Sequence, residues 1–321
     1  MDVLIAGAGV IGCSAAAFLA EAGHSVTVID RVGIASGASG RNSGVLQYPF
    51  DDVLGPLHWQ TVEHHRTVID LQDEPDGTLL LGTRETAGHA PVLRAEVVEE
   101  ARELDPLVHP GIPGVLLHMG YVVGPERVTL AWAERAREAG VTFEQGEWTP
   151  AVTAASKADV VILATGAWAP GVSPLWGVTV PVTQTAKVII EQAGIDDVVD
   201  GGGGVAFGLC GAVLGSTASR TEPDPAQVAP ALIEHAKQFV SGVEAAGPAR
   251  ACPRPNSPDG RPLVGRLDDR TWMCAGHGAW GISIGVATAK LLTDAILDGK
   301  PIPEGLDPLR FSEVQASVTS P

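Results

Sequence analysis

Basic residues are scarce in this chain. Its 21 Lys and Arg stand against 38 Asp and Glu, giving a formal net charge of −17 and a pI near 4.8. A surface that acidic repels phosphate backbones and anionic bilayers, which argues against nucleic acid and membrane surfaces as partners. Cysteine is sparse too, and Cys13, Cys210, Cys252 and Cys274 show no C-x-x-C spacing. A chain of 321 residues can build its core without disulfides, so reduced core thiols are expected. No spacing of His, Cys and carboxylates suggests a metal site, and none is expected. No uninterrupted apolar run reaches the roughly 18 residues that a bilayer span needs. No Lys or Arg precedes Arg31, so the basic region of a secretory leader is missing and a cytoplasmic location is expected. Hydrophobic residues at 45% and charged ones at 18% describe a globular chain.

What is plentiful is glycine at the ends of apolar runs. Val3 to Ala6 read as a buried parallel strand, followed by Gly7, Gly9 and Gly12 in G-x-G-x-x-G spacing. An Ala-rich helix over 14–22 and a strand over 25–29 come next, and Asp30 lies 18 residues after Gly12. Gly7 permits the tight turn, Gly9 lets backbone approach a pyrophosphate, and Gly12 lets the helix pack closely on the strand. The helix N-terminus offers free N–H groups to phosphates, and Asp30 can accept from the ribose hydroxyls. Strand, glycine turn, helix, strand and terminal acid in that order make this a strong dinucleotide signal.

Two later stretches repeat the design. Val160 to Leu163 end in Ala164, Thr165 and Gly166, small residues at the carboxyl end of a strand, where sheets of this type bind ligands. Strand-like residues from Trp272 run through Gly276, His277 and Gly278 into a helix over 284–298. Between Val32 and Val45 a loop of small residues presents Arg41, Asn42 and Ser43 as donors to phosphate or ring heteroatoms. One long cofactor touching three distant segments explains this better as FAD than as a nicotinamide dinucleotide. The remaining periodicity predicts helices over 57–71, 92–104, 126–139 and 229–243, and β segments over 78–82, 115–119, 141–144, 181–191 and 204–216. His58, His64 and His65 are expected on the solvated face of the first of these helices. The sequence predicts two interleaved domains of α/β class (α+β overall). One is a discontinuous Rossmann-like domain over 1–71, 120–176 and 251–321. The other is a substrate domain with an antiparallel sheet over 72–119 and 177–250.

The glycine motif, Ser39 to Val45, Ala164 to Trp168, Arg254 to Gly265, and Ala275 to His277 with Gly281 and Ile282 resemble the flavin-dependent amino-acid oxidase family. That family includes glycine oxidase, D-amino-acid oxidase and dehydrogenase, and sarcosine oxidase. The pieces occur in the family's order and span both termini. The resemblance implies a glutathione-reductase-type FAD domain and non-covalent FAD. The cofactor would be held by the three motif glycines, Val10, Ile11, Asp30, Arg31, Ala38, Ser39, Arg41 to Val45, a residue near Ala151, Ala164 to Gly166, and Gly276 to Ser283. It also implies that Arg254 pairs with a substrate carboxylate, as a guanidinium does through two parallel hydrogen bonds. Gln47, Tyr48, Tyr121, Ala279 and Trp280 are candidate pocket walls, and Lys187 a candidate to stabilise developing superoxide. His277 reads as a structural turn residue and no catalytic base is assigned. Glycine oxidases carry a second Arg where this chain has Ala279, which argues against a very small amino acid.

The chemistry so implied is oxidation of a C–N bond in an α-amino acid or N-substituted glycine by hydride transfer to flavin N5. Its products are a 2-oxo acid, an amine or ammonia, and hydrogen peroxide, with molecular oxygen as acceptor. Dehydrogenation to a quinone or protein acceptor, oxidation of a 2-hydroxy acid, and a non-catalytic FAD-binding subunit stand as alternatives. A homo-oligomer is compatible with all of them.

Overall fold

The computed structural model describes residues 1–49, 51–83, 94–192 and 205–311. Along the chain come β1 (Asp2–Ala6), α1 (Val10–Glu21), β2 (Ser25–Asp30), α2 (Ala38–Arg41), β3 (Val45–Leu46) and α3 (Gly55–Arg66). Then follow β4 (Thr78–Leu81), β5 (Ala95–Val98), β6 (Gly114–Leu117), β7 (Tyr121–Val122), α4 (Pro125–Glu138), β8 (Thr142–Gln145), α5 (Pro150–Ala155) and β9 (Val160–Leu163). The rest are β10 (Ser173–Pro181), β11 (Ile189–Gln192), β12 (Val205–Cys210), β13 (Val213–Thr217), α6 (Pro225–Ala236), β14 (Arg250–Asn256), β15 (Leu263–Arg266), β16 (Thr271–Ala275) and α7 (Gly281–Asp298).

These strands build a mixed α/β fold from two main sheets. The first runs β15-β16-β9-β1-β2-β8 and is parallel except where β15 turns back on β16. Its centre is buried on both faces, which is why β9 reads Val-Val-Ile-Leu with every residue buried. α1 packs against both α4 and α7, bringing Leu19, Trp132, Ile284 and Val286 into one core with Ile5 and Val28. By length and composition α7 could cross a membrane, yet most of it is buried in this core. The second sheet runs β14-β10-β13-β12-β11-β4-β6-β5 and is antiparallel except between β11 and β4. Its alternation is clean. Val178, Val180, Ile190, Leu209 and Leu214 face Leu232 and Ala236 of α6, while Gly177, Thr179, Glu191, Gly208 and Gly215 face the opposite way, into a cavity.

Several sequence expectations are corrected. The helix over 92–104 does not form: 92 and 93 lie outside the described residues, Ala95–Val98 is an edge strand on β6, and Ala101–Glu103 is a single 3₁₀ turn. Tertiary pairing with β6 overrides the charged, helix-like composition there. The β segment over 181–191 is strand only at its ends, because the amide of Lys187 donates instead to the Asp105 carboxylate at 2.6 Å. The segment over 204–216, whose first residue is outside the described set, is a hairpin turning at Gly211 (φ 53°). The helix over 229–243 starts earlier, where Asp224 caps α6 by accepting from the Ala226 amide, and it ends at Ala236. Strand β14 is hidden by its prolines, which it tolerates as the outer strand of its sheet. His58 and His65 are fully buried and Trp59 is exposed, the reverse of the amphipathic reading of α3.

Candidate active site

The cavity is about 740 Å³ and lies between the carboxyl ends of the parallel strands and the glycine-bearing face of the second sheet. Its floor begins where β1 meets α1. Gly7 adopts φ 107°, and a Cβ there would stand 2.3 Å from the Ala164 carbonyl oxygen. A Cβ on Gly12 would stand 1.9 Å from the Gly7 carbonyl oxygen, so this position carries the close helix–strand contact and is not on the cavity wall. Gly9, Val10 and Ile11 do form the wall, with the first-turn amides of α1 directed out of the helix. Ser39 Oγ accepts from the Val10 amide at 3.0 Å, fixing the small-residue loop against this turn.

Asp30 lines the cavity, and its carboxylate already holds the turn together. Oδ2 accepts from the Ala8 amide, and Oδ1 from the Val32 and Gly33 amides, each at 2.9 Å. Arg31 stacks over Trp168, its Cζ 4.5 Å from the ring centroid, and both line the same end of the cavity. In the loop after α2, Asn42 is a structural residue as well as a wall residue. Its amide donates to Ala38 O, and its Oδ1 accepts from the Gly44 amide at 2.8 Å. Gly44 (φ 80°) is off the wall, pressed so close to Val123 that a Cβ would lie 2.1 Å from that carbonyl oxygen. Ala38, Arg41, Ser43 and Val45 face the cavity, as do Ala164, Thr165 and Gly166.

The C-terminal turn supplies a second helix N-terminus. His277, Gly278, Ala279, Gly281 and Ile282 line the cavity at the start of α7, and no side chain caps that helix. Ser283 is behind the wall: its Oγ accepts from the Gln47 amide at 2.9 Å and donates to Val45 O, tying loop to helix. His65 braces the same turn. Its Nε2 bonds the Ile282 carbonyl at 3.0 Å while Trp132 Nε1 donates to its Nδ1, a pattern that requires the neutral ring. Burial depresses His65 to about 4 and His277 to about 3. His277 is thus a neutral turn residue, with Nε2 2.7 Å from Thr288 Oγ1.

Arg254 lies on β14 opposite Leu175 of β10, and its guanidinium crosses the sheet over Gly177. A Cβ at Gly177 would sit 2.6 Å from Nη2, so the glycine is what lets the arginine lie there. No carboxylate pairs with Arg254 among the described residues, and burial lowers its pKa. Gln47 also lines the cavity, and its Nε2 donates to Glu191 Oε2 at 2.9 Å.

Other expected positions lie elsewhere. Tyr48 is buried against His58 and Trp59, and Tyr121 donates to the Asp73 carbonyl, so neither walls the cavity. Trp280 packs on the main core, and Gly276 makes a turn against Ser257 and Leu263. Ala151 is exposed on α5; from that region it is Gly146, Glu147 and Trp148 that reach the cavity. Lys187 is not on the wall either, since its backbone is drawn to Asp105. Sequence reasoning passed over Glu191 and the glycine row Gly177, Gly208 and Gly215. An acid closing the apolar run Val188-Ile189-Ile190 was the available signal.

The donors and shape fit a dinucleotide flavin. Two uncapped helix N-termini meet one cavity, the motif glycines leave no room for side chains, and Thr165 Oγ1 is buried on the wall without a partner. Comparison with known proteins agrees. A family model described as FAD dependent oxidoreductase matches residues 2–295. A D-amino acid dehydrogenase of Agrobacterium fabrum is 24% identical over 94% of this chain and 97% of its own length. One from Neisseria meningitidis is 57% identical, but over 51 residues that make up 16% of this chain and only 12% of that enzyme's length. Among solved structures, glycine oxidase from Geobacillus kaustophilus superposes with a TM-score of 0.78 at 21% identity, covering 97% of this chain and 98% of its own. L-amino acid deaminase from Proteus vulgaris gives 0.72 at 17% identity, covering 97% of each chain. At these identities the structures speak for the fold. The chain belongs to the FAD-dependent oxidoreductase family, and FAD is its cofactor.

Proposed function

We propose that this FAD-dependent oxidoreductase oxidises the C–N bond of an α-amino acid or N-substituted glycine, releasing a 2-oxo acid, with molecular oxygen as electron acceptor. The observation that carries the reading is Arg254: a half-buried guanidinium with no acidic partner among the described residues, lying over a glycine and facing the cavity shared by both helix N-termini. A half-buried cation left unpaired on a cavity wall suits an anionic ligand, and a carboxylate fits its planar fork.

FAD, when bound, supplies the two-electron acceptance that the protein itself lacks. The chain's residues do the rest by binding and positioning. Gly9, Val10, Ile11 and the loop pinned by Ser39 would hold the phosphates, Asp30 and Arg31 the adenosine end, and the α7 N-terminus the ring system. Arg254 fixes the substrate carboxylate, which sets the α-carbon in one orientation and reduces the entropy lost on reaching the transition state. Buried walls such as Ile189 and Phe207 exclude bulk water. His65 has both ring nitrogens engaged, and burial, which lowers His277 to about 3, makes that ring a weak base.

Anaerobic visible spectroscopy of the FAD-loaded protein tests the proposal. Amino acids of both hands, sarcosine, longer N-alkylglycines and 2-hydroxy acids are mixed in turn. Bleaching of the oxidised flavin band by an amine is the expected result, with return of colour on admitting air. Bleaching by hydroxy acids alone would refute the C–N assignment, and slow reoxidation in air would point to a quinone or protein acceptor. Arg254→Leu should keep its FAD and lose about 10²- to 10⁴-fold in kcat/KM, the equivalent of one or two charge-assisted hydrogen bonds.

A further inference from the structure

Four carboxylates line the cavity: Asp30, Glu147, Glu191 and Glu222. Asp30 is engaged by three backbone amides, and Glu147 and Glu222 are exposed at the surface. Glu191 is different. It projects from β11 into the cavity beside Gln47, which occupies Oε2, while Oε1 has no partner among the described residues. Among the described residues no cation pairs with it either, and burial raises its pKa above the usual carboxylate range. A half-buried carboxyl with one amide for company gains from a further donor.

The second sheet shows what that could be. Glu191 lies opposite Gly208, Gly208 opposite Gly215, and Gly215 opposite Thr179, with Gly177 two residues further along β10. Glu191 leans over β12, its Cγ 3.7 Å from where a Gly208 Cβ would stand, and Arg254 leans over β10 from the other side. Two strand spacings across the sheet and two residues along β10 separate those positions, on the order of 12 Å. A carboxylate and its α-amino group, with a hydrogen bond of about 2.9 Å at each end, cover a span of that order. Gly208 and Gly215 put no side chain between them, and Ser43 and Thr179 close the space beside Gly215.

We propose that Glu191, oriented by Gln47, accepts hydrogen bonds from the substrate's amino group while Arg254 holds the carboxylate of the same molecule. The site then takes an amine-bearing carboxylate bound as a dipolar ion, in preference to a 2-hydroxy acid. This rests on the carboxylate reading of Arg254. A protonated amine offers N–H donors and a charge that compensates the half-buried acid, whereas a hydroxyl offers one neutral donor and a methyl none.

Three isosteric ligands without an α-hydrogen test this without turnover: α-aminoisobutyrate, 2-hydroxyisobutyrate and pivalate, titrated calorimetrically into the FAD-loaded protein. Wild type should bind the amine roughly tenfold or more tighter than the other two. Glu191→Gln should bring the three within about threefold of one another and leave pivalate unchanged, with Glu191→Asp intermediate; the flavin spectrum reports that each variant is intact. An amine preference that survives Glu191→Gln, or wild-type binding of carboxylates with no amine preference, overturns the assignment of Glu191 and leaves the Arg254 reading standing. If none of the three binds wild type, or if Arg254→Leu binds them as well as wild type does, the carboxylate reading itself fails and the Glu191 proposal with it.

Discussion

Lowering the pH from 7 to 5 should cost the folded protein about 6 kcal/mol through three buried histidines. His58 and His65 are depressed from 6.5 to about 4, and His277 to about 3, in each case chiefly by burial. The unfolded chain binds these protons near pH 6.5 and the folded protein does not until pH 4 or below. The stabilisation from the neutral rings is therefore complete above pH 6.5 and is lost progressively as the pH falls through that window. At pH 5 each ring contributes about 2 kcal/mol to the loss, against a typical total stability of 5–15 kcal/mol. Glu191 acts in the opposite sense, because its raised pKa lets the folded state hold a proton that the unfolded chain releases. Asp51, Asp259, Asp268 and Asp294 are all held below the ordinary carboxylate range and release their stabilisation only at lower pH. Urea unfolding followed by circular dichroism at constant ionic strength and saturating FAD measures the effect. His65→Gln is the control, since an amide can still donate to Ile282 O and accept from Trp132 without titrating. It should reduce the pH slope by about 1.2 kcal/mol per pH unit between pH 6 and 5. An unchanged slope in that variant, or a wild-type stability flat from pH 7 to 5, would refute the neutral-histidine account.

Two further substitutions probe the cofactor turn. Gly12→Ala places a methyl 1.9 Å from the Gly7 carbonyl oxygen, so α1 must move away from β1. FAD affinity should drop by about tenfold or more, with overpacking costing about 1–3 kcal/mol; calorimetric FAD titration of the apoprotein reads it. Asn42→Ala removes the side chain that bonds both Ala38 O and the Gly44 amide. Its expected cost is about 1–3 kcal/mol of stability, visible in the urea midpoint with FAD saturating, and a stability equal to wild type would show that the loop holds itself.

Local order along the chain was enough to reveal the cofactor end of this protein. The glycine motif, Asp30, the Ala164–Gly166 turn and the His277–Ile282 turn each combine a buried strand, a tight turn and a helix start within a few residues, so spacing alone predicts their geometry. Arg254 was legible through the motif around it, although the strand that carries it was not: Pro253 and Pro255 look like loop until β14 is seen at the edge of its sheet. Composition misled where neighbours decide the outcome. His58 and His65 look like the polar face of a helix, and only the packing of α3 on α7 turns them inward.

The opposite wall of the cavity was decided by tertiary structure alone. Gly177, Gly208 and Gly215 are scattered among apolar strands, and nothing in their local sequence marks them as a surface. Cross-strand register aligns them and sets Glu191 and Arg254 on either side. The physical reason is the range of the interactions. Turn geometry, helix starts and strand burial depend on residues within a few positions, and the sequence by itself determined those. The β12–β13 hairpin is local, but its register with β10 and β11, and that of β10 with β14, joins residues far apart in the chain and exists only once the sheet has formed.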